Sequence, residues 1–311
     1  MQSRPGSLAA FPHDSYDRPM SLSVIVTSYE SPEVLERCLR SLTQQPEAQK
    51  IIVVDCSRVN PGVALAPAFP DVTFVHYDAP TSVPAMRWSV IDSLETELIA
   101  AVEGRCVPAA DWCATLVEAH RENPAVPAVG GPIAPPLGGK AWELGLFFSE
   151  YGHFAPPLRT GPTRELSGAN LSYKRDRLVL ESDLLEGGRW ETLLHLRWLA
   201  RGNTFYMTQA EVRFENTMKL GTFMRQRFAY GRGYAADRFE RGRVLPRLAY
   251  ALSCFLLPAL LTFRIGRSAV DKGLGTPFLR CLLWVVLFLT AWSAGEFVGY
   301  VVGAAEHPEI F

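Results

Sequence analysis

The sequence predicts an α/β protein, an open and mainly parallel sheet with helices packed on it, followed by apolar helices at the end of the chain. Three observations carry that expectation. Short β-branched runs alternate with segments of helical apolar period as far as about residue 130, the pattern of βαβ units. The 311 residues are enough for about two units of ordinary size. The mean hydropathy of +0.05 owes its height to residues 248–263 and 281–303, which are almost wholly apolar.

Residues 21–27, SLSVIVT, read as a buried strand. Ser31, Pro32 and Glu33 then supply an N-cap with proline at the first helical position. Leu35, Cys38, Leu39 and Leu42 follow at i, i+3, i+4 and i+7, the stripe of a helix that covers the sheet. Residues 50–54 return as a second buried strand ending at Asp55. Residues 72–77 and 97–103 read as further strands, with helices at 84–94 and 111–121. From 130 to 162, GGPIAPPLGG and APPLRTGP flank the aromatic stretch AWELGLFFSEYGHF, and proline and glycine at that density predict loops over a site. Order resumes at 165–173, with a helix over 191–201, short strands at 204–208 and 210–214, and a helix from about Leu220.

Composition narrows the function. Hydrophobic residues at 48%, charged residues at 20% and a net charge of −1 exclude disorder, collagen and a globally basic nucleic-acid binder. The six cysteines form no CxxC pair and read as reduced core residues, not as a zinc site or disulfide framework. Residues 1–20 read as a flexible tail without the apolar stretch of a secretory signal. The α/β domain is expected over 21–243 and a membrane-associated helical region over 244–311.

The 23 residues of 281–303 can cross a hydrocarbon core of about 30 Å at about 1.5 Å per residue, and a span is expected there. Residues 248–263 are only 16 and contain Pro258. They read either as the first arm of a two-span hairpin or as a re-entrant or interfacial piece. Residues 213–247 hold nine basic residues against three acidic, and the linker 264–280 holds Arg264, Arg267, Lys272 and Arg280 against Asp271. The positive-inside rule puts both, and hence the α/β domain, on the cytoplasmic side of a cytoplasmic membrane. Glu296 inside the second apolar segment is expected to be buried against a neighbour, with Trp292 and Tyr300 as interface anchors.

In an open α/β sheet the ligand lies beyond the carboxyl ends of the strands. The first strand runs into Thr27, Ser28, Tyr29 and Glu30, and no GxGxxG follows it, so a dinucleotide site is not expected. The second ends at Asp55, a carboxylate placed to accept hydrogen bonds from a base or ribose, or simply to form a turn. The fourth leads into Glu103-Gly104-Arg105. In order along the chain, SVIVTSYESPEVLERCLRSL, IIVVDCS, AAVEGRCVPAADW, ELSGANLSYKRDRL and WETLLHLRWLARGNTFYMTQAEVRF with RQRFAYGRG resemble the nucleotide-sugar half of family 2 glycosyltransferases over about residues 21–243.

That resemblance implies a GT-A fold, a Rossmann-like mixed sheet flanked by helices, here with C-terminal membrane helices, and inverting transfer from a nucleotide-diphospho-sugar donor. It implies that Thr27, Tyr29 and Asp55 contact the donor nucleoside. Glu103 stands where the family places an Asp-x-Asp-type motif for Mg²⁺ or Mn²⁺, but Gly104 and Arg105 depart from it. Either Glu103 alone anchors the cation, with waters and diphosphate oxygens completing its shell, or Arg105 and the downstream arginines neutralise the diphosphate. Glu191 matches the family's general base, and burial beside Trp190 is expected to raise its pKa; a carboxylate in a first helical turn also serves the helix dipole. His195, one turn on, is expected to pack or to face solvent and not to take part. Gly168 and Asn170 match a small-residue loop near the donor sugar, where glycine lets the backbone approach and Asn170 bonds a hydroxyl; the alternative is a tight turn. Arg227 and Arg232 are expected to hold a diphosphate or an anionic lipid. RQRFA lacks the Gln-x-x-Arg-Trp pattern of processive synthases, which implies one sugar per encounter. The expected function is therefore non-processive transfer to a lipid-linked or glycan acceptor of the cell envelope, with membrane lipids but no nucleic acid as partners. The alternative is a catalytically degenerate nucleotide-sugar-binding scaffold in a glycan assembly complex.

Overall fold

The structure, a computed structural model, describes residues 20–29, 32–185, 191–216, 218–238 and 244–303. Glu30, Ser31 and Trp190, which enter the expectations above, lie outside the described residues.

Side-chain alternation along the first strand sets the layers. Every residue of β1 (Leu22–Ser28) is buried. Val24 and Val26 belong to one apolar core and Ile25 to a second on the opposite face, as a strand covered on both sides requires. α1 (Pro32–Leu42) lays Leu35, Cys38, Leu39 and Leu42 on the first core, and β2 (Ala48–Asp55) returns parallel to β1. There follow α2 (Pro61–Leu65), β3 (Val72–His76), α3 (Val83–Trp88), β4 (Leu98–Glu103), β5 (Cys106–Pro108) and α4 (Trp112–Glu122). The second half contains β6 (Ala128–Gly130), β7 (Ile133–Ala134), α5 (Ala141–Tyr151), β8 (Gly161–Thr163), β9 (Asn170–Lys174), α6 (Arg175–Leu178), α7 (Ser182–Leu185), α8 (Glu191–Ala200), β10 (Phe205–Met207) and β11 (Val212–Phe214). Helices α9 (Leu220–Arg238), α10 (Val244–Ser253), α11 (Leu257–Asp271) and α12 (Gly275–Val302) complete it.

The main sheet is eight-stranded in the order β3-β2-β1-β4-β9-β6-β10-β8, and β5-β11-β7 form a smaller one. β1 to β4 are parallel, while β9 runs antiparallel to both β4 and β6, so the sheet is mixed. The chain leaves β1 toward β2 and β3, then returns on β1's other side as β4. Register pairs Ser28 with Asp55 and Thr27 with Glu103, so three carboxyl ends are level at this switch of direction, where an open α/β sheet takes its ligand.

One expectation is corrected. The aromatic stretch between the glycine- and proline-rich loops is the helix α5, not part of a loop. Its Gly145, Leu146, Phe147, Phe148 and Tyr151 are buried. A helix covered on more than one side has apolar residues all round and loses the amphipathic period by which it would be read. Its cover is α12: Cys281, Val285 and Phe288 join Phe147, Phe148 and Phe214 in the first core, and a Cβ on Gly145 would strike Trp284 at 2.6 Å.

Candidate active site at the strand ends

Two clusters of buried charge meet beyond β1 and β4. In the first, Arg87 of α3, 2% exposed, bonds Glu191 at the first position of α8 through Nη1 and donates from Nη2 to Thr27 Oγ1 at 3.3 Å. Its Nε is buried without a hydrogen-bond partner. Burial alone would lower the guanidinium's pKa, but the Glu191 and Glu103 carboxylates outweigh it and raise the value. Gly168 makes room for this pair: a Cβ there would stand 3.3 Å from Arg87 Nη1 and 3.4 Å from Glu191 Oε2. Behind Glu191, His195 Nε2 lies 2.9 Å from the Tyr173 hydroxyl. Burial pushes His195 down to about 4, against the pull of Glu191, and the imidazole is packed and not turned to solvent.

In the second cluster, Glu103 Oε2 accepts from Arg105 Nε and from the Tyr151 hydroxyl, each at 2.8 Å. Burial would raise the Glu103 pKa, but Arg105 and Arg87 hold it below the ordinary carboxylate range. Arg105 is turned inward, 3% exposed. Its Nη2 donates to Glu150 Oε2 at 3.1 Å and to Tyr151 at 2.7 Å, and the rings of Tyr29, Tyr151 and Phe214 surround it at 5.3–5.7 Å. Glu150 Oε1 accepts from Arg227 Nη1 at 2.9 Å, and Arg227 lies over the Trp292 ring, 4.5 Å from its centroid. A ladder of alternating charge thus runs Glu103, Arg105, Glu150, Arg227 and ends on α12.

The remaining sequence candidates divide. Asp55 is buried at the end of β2, where it accepts from Ser57 N at 2.9 Å and Ser57 Oγ at 2.6 Å and lies 2.9 Å from His76 Nδ1. Asn170, expected beside the donor sugar, points into the core. Its Nδ2 donates to the Pro132 and Ala210 carbonyls at 2.9 and 2.8 Å, and its Oδ1 accepts from Trp112 Nε1 at 2.8 Å. Arg232 donates from Nε to the Gly303 carbonyl at 2.9 Å, at the end of α12 and away from the strand ends. Arg87, Glu150 and Tyr151 escaped the sequence reading. The signal for Arg87 is a single charge within the otherwise uncharged helix VPAMRW, the next helix after β3; Glu150 and Tyr151 were hidden with α5.

The residues present do not fit a resident Mg²⁺ or Mn²⁺. Among the described residues no group of three His, Cys, Asp or Glu side chains could hold a metal ion. Glu103 already shares its carboxylate with a guanidinium and a phenol, and Glu191 and Glu150 each face an arginine, whereas a hard cation needs several oxygen ligands.

The profile of "Glycosyl transferase family 2" matches residues 23–178, half of the chain. No curated protein matches it. Among solved structures it is similar to a mannosyltransferase from Pyrobaculum calidifontis in complex with GDP-Man and Mn²⁺, at 16% identity and a TM-score of 0.55, over 92% of this chain and 88% of that one. It is also similar to glucosyl-3-phosphoglycerate synthase from Mycobacterium tuberculosis, in complex with Mn²⁺, UDP and glucosyl-3-phosphoglycerate, at 12% identity and a TM-score of 0.42, over 68% of this chain and 80% of that one. Sheet order, the level strand ends and the match over β1 to β9 agree: the chain belongs to glycosyl transferase family 2, with the GT-A type of fold.

Proposed function

We propose that the chain transfers a single sugar from a nucleotide-diphosphate donor to an acceptor hydroxyl with inversion, with Glu191 as general base. The observation that carries the reading is the convergence of Thr27, Arg87, Glu103 and Glu191 at the point where the sheet changes direction. Thr27, Tyr29 and Asp55 line the strand ends where the nucleoside would bind. Arg87 keeps a donor nitrogen in reserve, and a donor diphosphate would offer it oxygens better matched to a guanidinium than one carboxylate. As Arg87 turns to the diphosphate, Glu191 is released toward the acceptor. The acceptor oxygen then attacks the anomeric carbon, its proton passes to Glu191, and the carbon–oxygen bond to the leaving nucleoside diphosphate breaks. Arginine, not a resident cation, offsets the charge on the leaving group.

The acceptor is a lipid-linked or glycan hydroxyl held at the membrane, which the exposed apolar residues of α10 to α12 support, and the excess of Arg and Lys beside these helices favours the cytoplasmic face for the domain. The Arg87–Glu191 pair is also what a degenerate scaffold would keep, as a structural ion pair. Replacing Glu191 with Gln separates the two. A transferase loses at least about 100-fold in turnover and keeps its donor affinity in a binding titration. Unaltered turnover in Glu191→Gln sinks the assignment of the base, and wild-type protein that binds donor without turnover establishes the scaffold.

A further inference from the structure

α12 has two long faces of different kinds. Cys281, Val285, Phe288, Ser293 and Tyr300 are buried against the rest of the chain. Leu279, Leu283, Leu287, Thr290, Ala294 and Val301, three, four or seven residues apart, form an exposed strip without a charge. The one hydroxyl in that strip is satisfied within the helix, Thr290 Oγ1 donating to the Val286 carbonyl at 2.7 Å.

The helix is long and apolar enough to cross a membrane, but what it carries on its buried face opposes that. α9 runs alongside it so closely that a Cβ on Gly231, Gly295 or Gly299 would collide with the facing backbone. Trp292, close to the middle of α12, carries the Arg227 guanidinium and through it the ladder to Glu150, Arg105 and Glu103. Were α12 to stand along the bilayer normal, the Arg227–Glu150 pair at Trp292 and the exposed Arg225 of α9 beside it would lie at hydrocarbon depth. Charged side chains are costly there.

We propose that α12 lies in the plane of the membrane, its exposed strip in an anionic lipid surface and its other face on the transferase domain, so that the protein is held on one leaflet without crossing it. α10 and α11, joined with a bend of 61°, widen the strip with Leu252, Phe255, Leu256, Leu260 and Phe263, each more than half exposed. Charge complements the headgroups: residues 244–303 hold five basic side chains against two acidic, and Arg264, Arg267 and Arg280 are exposed beside the strip.

The inference rests on the membrane reading above, not on the transfer chemistry, and its test keeps the two apart. Full-length protein is expressed with one added cysteine, at Arg121→Cys, at Asp271→Cys or appended after Phe311. Sealed membrane vesicles are then treated with an impermeant maleimide. The six native cysteines are buried, and the unaltered chain serves as blank. All three positions should label equally from the side of Arg121→Cys before any detergent. Labelling at Asp271→Cys or after Phe311 that requires permeabilisation restores a span and overturns the proposal. A second measurement is flotation of purified protein with phosphatidylglycerol–phosphatidylcholine vesicles. Leu283→Glu with Leu287→Glu should reduce it at least tenfold while circular dichroism and donor binding stay unchanged. Undiminished flotation overturns the proposal; wild-type protein that does not float, or that covers the strip by forming a dimer, overturns the membrane reading itself and leaves transfer untouched.

Discussion

Arg87 and Arg105 are both buried beside glutamates at the carboxyl end of the sheet, but their partners differ. All three Arg105 nitrogens are engaged, by Glu103, Glu150, Tyr151 and the Met218 sulfur, and three rings close around the group. Arg87 has one strong partner, a longer bond to Thr27 and an unpartnered Nε. A buried donor without an acceptor costs free energy that a ligand can recover. The contrast teaches that an arginine's type and burial say little about its role, whereas its unused bonding capacity separates a ligand-facing group from a structural one.

The comparison can be broken where it is strongest. Arg105→Met leaves Glu103 and Glu150 buried without their shared cation and should cost about 3–5 kcal/mol of stability, read in a denaturation curve; a loss below about 1 kcal/mol would show that the ladder is not structural. Removing both charges of the other pair, Arg87→Met with Glu191→Met, should leave stability within about 1–2 kcal/mol of wild type yet weaken donor binding at least about tenfold, the worth of one charge-assisted bond. The same titration run with Mn²⁺ and with EDTA sharpens the point. Wild-type affinity should change little between them, and affinity that vanishes in EDTA would return the diphosphate's charge to a cation on Glu103.

A further effect concerns pH. Burial holds His120 down to about 3 and His195 down to about 4, both neutral in the folded chain. Unfolded histidine titrates near 6.5, so below that value the unfolded state binds more protons. Stability therefore falls as pH drops from about 6.5 toward 4, by up to about 1.4 kcal/mol per pH unit for each imidazole. A melting temperature that holds constant from pH 7 to 5 would contradict neutral burial. His195→Asn, which cannot gain the proton, should flatten part of the slope.

The positions of Thr27, Asp55 and Glu103 were legible because each lies at or next to the end of a buried strand, and the fold class fixes where strand ends point. Glu191 was legible as the first residue of a helix. Arg87 was not, since α3 is one short helix among several and only its packing brings that residue 104 positions back to Glu191. Asn170 misled in the opposite way: its type suits a sugar hydroxyl, but the folded chain spends its amide on Pro132, Ala210 and Trp112.

The sequence by itself determined the parallel strands, the helix that covers them, the position of the strand-end site and the apolar character of the last helices, because each follows from local composition and period. Tertiary structure alone decided that α5 is a core helix, that α12 joins the same core, and that one arginine is closed while another keeps a free donor. Those outcomes depend on which distant residues meet, and neither burial on several sides nor the partners of a guanidinium leaves a periodic trace along the chain.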